Sequence, residues 1–293
     1  MASETVPAII PRNLHFEFDE SLPMNWHGGD PAITAYFDGL SLTFPIGERF
    51  FVDSVRHYAK DITDPDLKRD VQAFMSQESI HGREHETYNA LMAKRGFPVD
   101  RTQKIIGKMT NDMRRFLSPR MQLAATCALE HYTALFAEVS LGTVDPFADA
   151  HPFYRDLWHW HAMEEEEHKA VAFDVFQAVV PGIRGYFTRC FAMILASFFF
   201  NMASIVLTNW ILAQRGELLN FRSWGRAFWF HWIWPGAYPH VIIGVAKYFV
   251  PGFHPAKRKV APEVLVWRNY YRQTVQRAPS MPGSIFEGLP NGA

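Results

Sequence analysis

Cysteine is scarce in this sequence. Its 293 residues include two, Cys127 and Cys190, each in an apolar context with no CxxC and no Cys/His zinc spacing. That argues against a disulfide scaffold or a zinc finger, and both read as buried free thiols of a reducing compartment. Charge excess is lacking too: 29 basic and 30 acidic residues leave a formal charge of -1. Phosphate binding needs a clustered basic surface, so no nucleic-acid partner is expected. The start, MASETVPAIIPRN, has no basic segment followed by an apolar one, so no secretory signal is visible and the cytoplasmic side is expected. Internal repeats and low-complexity tracts are missing, and alternating β-branched runs are few.

What is present is apolar and helical in pattern. Hydrophobic residues make up 48% of the chain and aromatics 15%, enough for a sizeable core. Residues 1 to 35 hold four prolines and HGGD, which read as an irregular arm. From there to 182 the spacing predicts four helices, about 40–60, 64–94, 118–140 and 151–180. They are separated by DITDP, by RGFP with a long link over 97–118 that carries a short helix, and by GTVDP. Ser118 and Pro119 start the third helix as cap and first residue. These features describe an all-α chain whose four-helix bundle contains one long crossover. Residues 183–293 form an appended hydrophobic helical region with a polar tail from Pro251. Within it, 190–213 has no charge, and the aromatic-rich 227–246 is broken by PGAYP.

Glu followed three residues later by His lies on one helical face, and the pattern occurs twice, as Glu78 with His81 and Glu165 with His168. Each alone is weak. The midpoint between Glu48 and Glu78 is residue 63, inside the DITDP break; that between Glu130 and Glu165 falls at 147 or 148, inside GTVDPFADAHP. Antiparallel hairpins folded there would hold four carboxylates at one height, roughly 20 Å from the turns at 1.5 Å per residue. Their flanks are apolar, and buried carboxylates need compensating positive charge, so two divalent ions suit four carboxylates and two imidazoles.

Glu48, Glu78 with His81, Glu130, and Glu165 with His168 resemble the ligand set of the ferritin-like di-iron carboxylate proteins, over residues 36 to 180. His161 extends the last pair to HxxxExxH, which resembles the di-iron oxygenases of arylamines such as para-aminobenzoate N-oxygenase; there an extra histidine at that position is a ligand. The aromatic-rich second half is similar to a bacterial family labelled metal-dependent hydrolases. The resemblance implies two iron ions, with manganese or zinc as substitutes, bridged by Glu78 and Glu165. It implies dioxygen, an electron donor and a hydrophobic or aromatic small-molecule substrate. The leading expectation is an oxygenase or oxidase. The alternatives are a two-metal hydrolase and a non-catalytic iron-binding or membrane-associated protein. No catalytic residue beyond the ligands and no organic cofactor site stands out.

Other residues are read more plainly. His161 is equally a packing histidine, and His85 shares the ligand face without being expected to ligate. His57, His131 and His159 are structural. Glu84 and Glu86 are expected in solvent. Glu164 competes with Glu165 for the ligand position, since the two lie about 40° and 60° from His168 around the helix; Glu166 and Glu167 are expected to turn outward. The 190–213 stretch fits a membrane span, a surface anchor at the inner face of the membrane, or a buried helix on the bundle or across a homodimer. Its Ser197, Asn201, Ser204 and Thr208 stripe suits close helix packing. Two full spans would put Arg215, Arg222 and Arg226 outside, against the positive-inside tendency.

Overall fold

In a computed structural model, residues 9–258 and 262–277 are described; residues 1–8 of the expected arm and 278–293 of the expected tail lie outside them. The chain is helical, with no β-strand among the described residues. The helices are α1 (Pro31–Arg56), α2 (Pro65–Lys94), α3 (Val99–Phe116), α4 (Pro119–Ser140), α5 (Pro152–His168), α6 (Val171–Val179), α7 (Gly182–Gln214), α8 (Phe221–Trp232), α9 (Ala237–Tyr248) and α10 (Pro262–Arg277).

Helix starts follow a shared local chemistry. Asp30, Asp64 and Ser118 each cap a helix whose first residue is proline, accepting backbone N–H groups of the first turn. This corrects the first boundary: α1 begins at Pro31, not near residue 40, because Pro31 starts the helix there instead of breaking it. A second proline, Pro45, lies inside α1. Having no N–H, it leaves the Ser41 carbonyl without its helical donor, and Asn89 Nδ2 on α2 donates to that carbonyl at 2.9 Å. The proline thus fastens α1 to α2.

Two further expectations are corrected. The fourth helix is not continuous: Lys169 and Ala170 interrupt it directly after His168, although neither Gly nor Pro marks the spot. The link over 97–118 is mostly helix, since α3 fills 18 of its residues. Helices α1, α2, α4 and α5–α6 pack around a common interior, and α7 lies across α1 and α4. Close approach needs a small residue: a Cβ on Gly39 of α1 would stand 3.2 Å from Leu207 Cβ of α7. Asp38, one residue earlier, is buried and ties three elements together, accepting from Trp26 Nε1 of the arm, from Tyr88 of α2 and from Arg215 at the end of α7. Helices α8 and α9 complete this cover over α1 and α4, and α10 packs on α5. The tail is therefore not purely polar surface, because Val264 and Tyr271 are buried.

Candidate metal centre

Glu48 comes from α1, Glu78 and His81 from α2, Glu130 from α4, and His161, Glu165 and His168 from α5. All seven are buried and converge in the bundle interior. They fall into two groups, Glu48–His81–His161 and Glu78–Glu130–Glu165–His168, each offering ligand atoms within 4.8 Å of one another. The groups share an edge. Glu165 lies 3.0 Å from His161 Nε2, 3.6 Å from His81 Nδ1 and 3.4 Å from His168 Nε2. Glu78 lies 3.0 Å from His168 Nε2 and 3.9 Å from His81 Nδ1. Gly82 makes room for Glu48, since a Cβ there would stand 3.2 Å from Glu48 Oε2.

The convergence makes poor sense without a cation. Both carboxylate oxygens of Glu48, Glu78 and Glu130, together with Glu165 Oε2, His81 Nδ1 and His168 Nε2, are buried without a hydrogen-bond partner. An unpaired buried ion costs several kcal/mol, and most buried polar atoms in proteins are satisfied. Spacing fits as well: neighbouring ligands on one ion, each bonded at about 2.1 Å, stand roughly 3 Å apart, as His168 Nε2 does from Glu78 and Glu130 at 3.0 and 3.3 Å. The donor set of carboxylates and imidazoles suits iron, manganese or zinc.

A second ring of residues orients the imidazoles. His81 Nε2 donates to Glu164 Oε2 at 3.1 Å and His168 Nδ1 to Gln77 Oε1 at 2.9 Å, which turns the other nitrogen of each ring inward. His161 is set by a longer relay. Ser41 donates to Asn89 Oδ1, so it accepts from His85 Nδ1; His85 Nε2 then accepts from His161 Nδ1 at 3.0 Å. His161 Nε2 is left with its lone pair facing Glu165 Oε1, 3.0 Å away. Two lone pairs at that distance call for a cation or a proton between them. Behind the ring stands Arg12 of the arm, 2% exposed. It donates to Glu164 and Glu167 at 3.0 and 2.8 Å, while Gln77 Nε2 donates to Glu167 at 3.0 Å.

The ionisable side chains of the centre shift one another strongly. Burial, then the neighbouring carboxylates, pushes Glu48 and Glu78 well above the ordinary carboxylate value, and burial raises Glu130 to about 7. Burial would lower His168, but Glu165 and Glu130 hold its imidazole well above the ordinary value. Glu165 is held well below its own, against burial, by His168 and His161. Burial and His161 push His81 and His85 down, so both are neutral, as the hydrogen-bond relay requires.

Several sequence expectations change here. Glu166 and Glu167 do not turn outward: all four glutamates of the run are buried. Glu167 pairs with Arg12 and Glu166 with Lys169. The run looked half solvated because periodicity gives an angle but not what covers it, and the arm and α10 cover the side assigned to solvent. Glu164 belongs to neither of the two groups and instead holds His81. Glu84 is buried as well, accepting from Phe16 N at 2.7 Å, whereas Glu86 is exposed. His85 serves His161. His131 and His159 have partners away from the site, Gly244 O and Asp145, and His57 is exposed. Sequence reasoning missed Arg12, Gln77, Ser41 and Asn89, for which no spacing rule exists.

A largely apolar pocket reaches the centre, with His161 and Glu165 among its lining, and Phe44, Trp158 and Ala162 beside them. Tyr36, Phe230 and His231 also line it.

An all-helical chain with a buried carboxylate–imidazole centre is thus the class that fold and site define. Residues 10–259 match the family described as predicted metal-dependent hydrolase, and the chain belongs to that family. No curated protein and no solved structure matches it.

Proposed function

We propose that the protein is a two-metal enzyme that hydrolyses an apolar small molecule, with Glu48, Glu78, His81, Glu130, His161, Glu165 and His168 as the side chains that would hold the ions, Glu78 and Glu165 standing where the two groups meet. The observation that carries the metal reading is the set of orphaned donor atoms on four helices. Family membership favours hydrolysis. Two divalent ions, when bound, acidify a water and polarise a substrate carbonyl. The chain's own part is to aim the ligands through Glu164, Gln77 and His85, to keep bulk water out with Phe44, Trp158 and Ala162, and to admit a substrate along the cavity to the side where His161 and Glu165 face it.

Oxidation by dioxygen is a second reading, and one observation favours it. The pocket lining holds no lysine or arginine to stabilise a developing oxyanion, and Leu40, Phe44 and Ala162 in it are apolar. This reading keeps the ferritin-like resemblance, with two iron ions, dioxygen and an electron donor. Protein loaded separately with zinc, manganese and, under argon, ferrous iron distinguishes the two. Cleavage of aryl and alkyl esters without oxygen supports hydrolysis. Oxygen uptake with a transient visible band in the ferrous protein, and no ester cleavage with any metal, would replace it with oxidation.

A further inference from the structure

The helices after Pro181 put their apolar side chains outside. Of 26 large hydrophobic residues exposed among the described ones, 20 lie between Ile183 and Val250. On α7, Phe187, Phe191, Ile194, Phe198, Met202 and Ile205 follow one another at intervals of four and three, which is one continuous stripe on an α-helix. At the α8–α9 corner, Phe228, Trp229, Trp232, Ile233 and Trp234 are exposed as well. Both sets lie over α1 and α4, on one side of the bundle. The cavity runs between them, with Phe200 of α7 on one wall and Phe230, His231 and Ala237 on the other.

Charge singles out what covers this face. Residues 182–250 hold six basic residues and one acidic, Glu217, a balance of +5 against -6 for the rest of the chain. Arg184, Arg222 and Lys247 are exposed, and no carboxylate among the described residues forms a salt bridge with them. A second copy seated on the same face would bring these cations toward a surface that offers only Glu217. Nor does α7 leave the protein, since its buried residues run from Gly185 to Leu212. Helix-long apolar exposure, tryptophans at one edge and unpaired cations together match the interface of an anionic bilayer.

We propose that the α7–α9 face seats on the headgroup and upper acyl layer of an anionic phospholipid bilayer, with α7 lying along the surface and the cavity opening to the lipid. Docking itself is independent of the reaction; delivery of an apolar substrate from the bilayer through the cavity rests on the reading of the centre given above.

The test uses the metal-loaded full chain with vesicles of phosphatidylcholine alone and of phosphatidylcholine with phosphatidylglycerol, read by co-sedimentation and tryptophan emission. Binding to the anionic vesicles with a blue shift, stronger than to the neutral ones by about tenfold or more and weakened by salt, is expected. A double variant, Phe191→Asp with Phe198→Asp, and a second, Trp229→Asp with Trp234→Asp, should each lose about tenfold or more in binding while keeping bound metal and helical content. Absence of binding to either vesicle overturns the proposal, as does undiminished binding by both variants. A dimer in solution that the Phe191/Phe198 variant dissociates would also overturn it, assigning the face to a second copy. Metal content and ester cleavage are measured on the same samples, so loss of docking and loss of the two-metal reading are separable.

Discussion

The bundle interior and the α7–α9 cover invert the usual distribution in opposite ways. Around α1, α2, α4 and α5, charged side chains are buried at the core; on α7–α9, aromatic and aliphatic side chains are exposed. Soluble proteins rarely bury unpaired carboxylates or expose large contiguous apolar patches, so each region calls for a partner that would make it ordinary. The inside calls for a cation, and the outside for an apolar surface. The cavity ending at His161 and Glu165 joins the two.

The comparison can be broken first on its polar side. Glu165 contacts imidazoles of both groups, so Glu165→Ala should abolish binding of the second ion and weaken the first by about 100-fold or more; metal analysis after dialysis against a weak chelator reads this. Glu130→Ala, which touches one group only, should leave about one ion in place.

Arg12 tests whether the interior depends on compensation from the arm. Burial opposes its charge, yet Glu167 and Glu164 hold the guanidinium well above its ordinary value. Arg12→Ala leaves two buried carboxylates uncompensated and should cost about 3–5 kcal/mol, visible in chemical denaturation, whereas Arg12→Lys should recover part of that.

Next in size is His85→Ala, which frees His161 from its tautomer and should weaken metal binding by about 10- to 100-fold with the fold intact. Unchanged affinity would make His161 a packing residue.

The protons of the metal-free centre predict a pH dependence of opposite sign with and without metal. Glu130 is raised from 4.5 to about 7 in the fold, and Glu48 and Glu78 are raised further above 4.5. The folded state therefore holds protons the unfolded chain has released. Their contribution to metal-free stability is full below 4.5 and is lost as pH rises through about 7. The lowered His81 and His85 act in the opposite sense only below their ordinary 6.5, and Glu165 only below its ordinary 4.5, so the loss prevails above 6.5. His168, raised above its ordinary value, acts in the same direction. Metal must displace these protons, so its affinity rises over the same range. Thermal melts with and without metal across that range should show opposite slopes.

Much of the polar region was legible in the sequence because helix geometry is rigid. A fixed rise per residue turns the midpoint between Glu48 and Glu78 into the position of a turn, and α1 and α2 do reverse between His57 and Asp64. The same reasoning places Glu130 opposite Glu165. Side-chain pairs at i, i+3 then choose Glu165 over Glu164, and the structure puts Glu165 in the shared edge while Glu164 backs His81. What the sequence hid depends on contacts far apart in the chain. Arg12 meets Glu164 and Glu167 across more than 150 residues, and no local pattern announces it. The burial of Glu166 and Glu167 was misjudged for the same reason, as amphipathic reasoning assumes that one side of a helix meets water. For α7 the length and composition were plain, but only packing shows that one side of it lies on the bundle and the other does not.

The central claim is that cations occupy the bundle interior. A crystal of the protein grown with ferrous or manganous ion, measured at the metal's absorption edge, tests that directly. Two anomalous peaks are predicted, one among Glu48, His81 and His161 and the other among Glu78, Glu130, Glu165 and His168. Absence of a peak between these side chains, at full loading and with the carboxylates still converged, would contradict it.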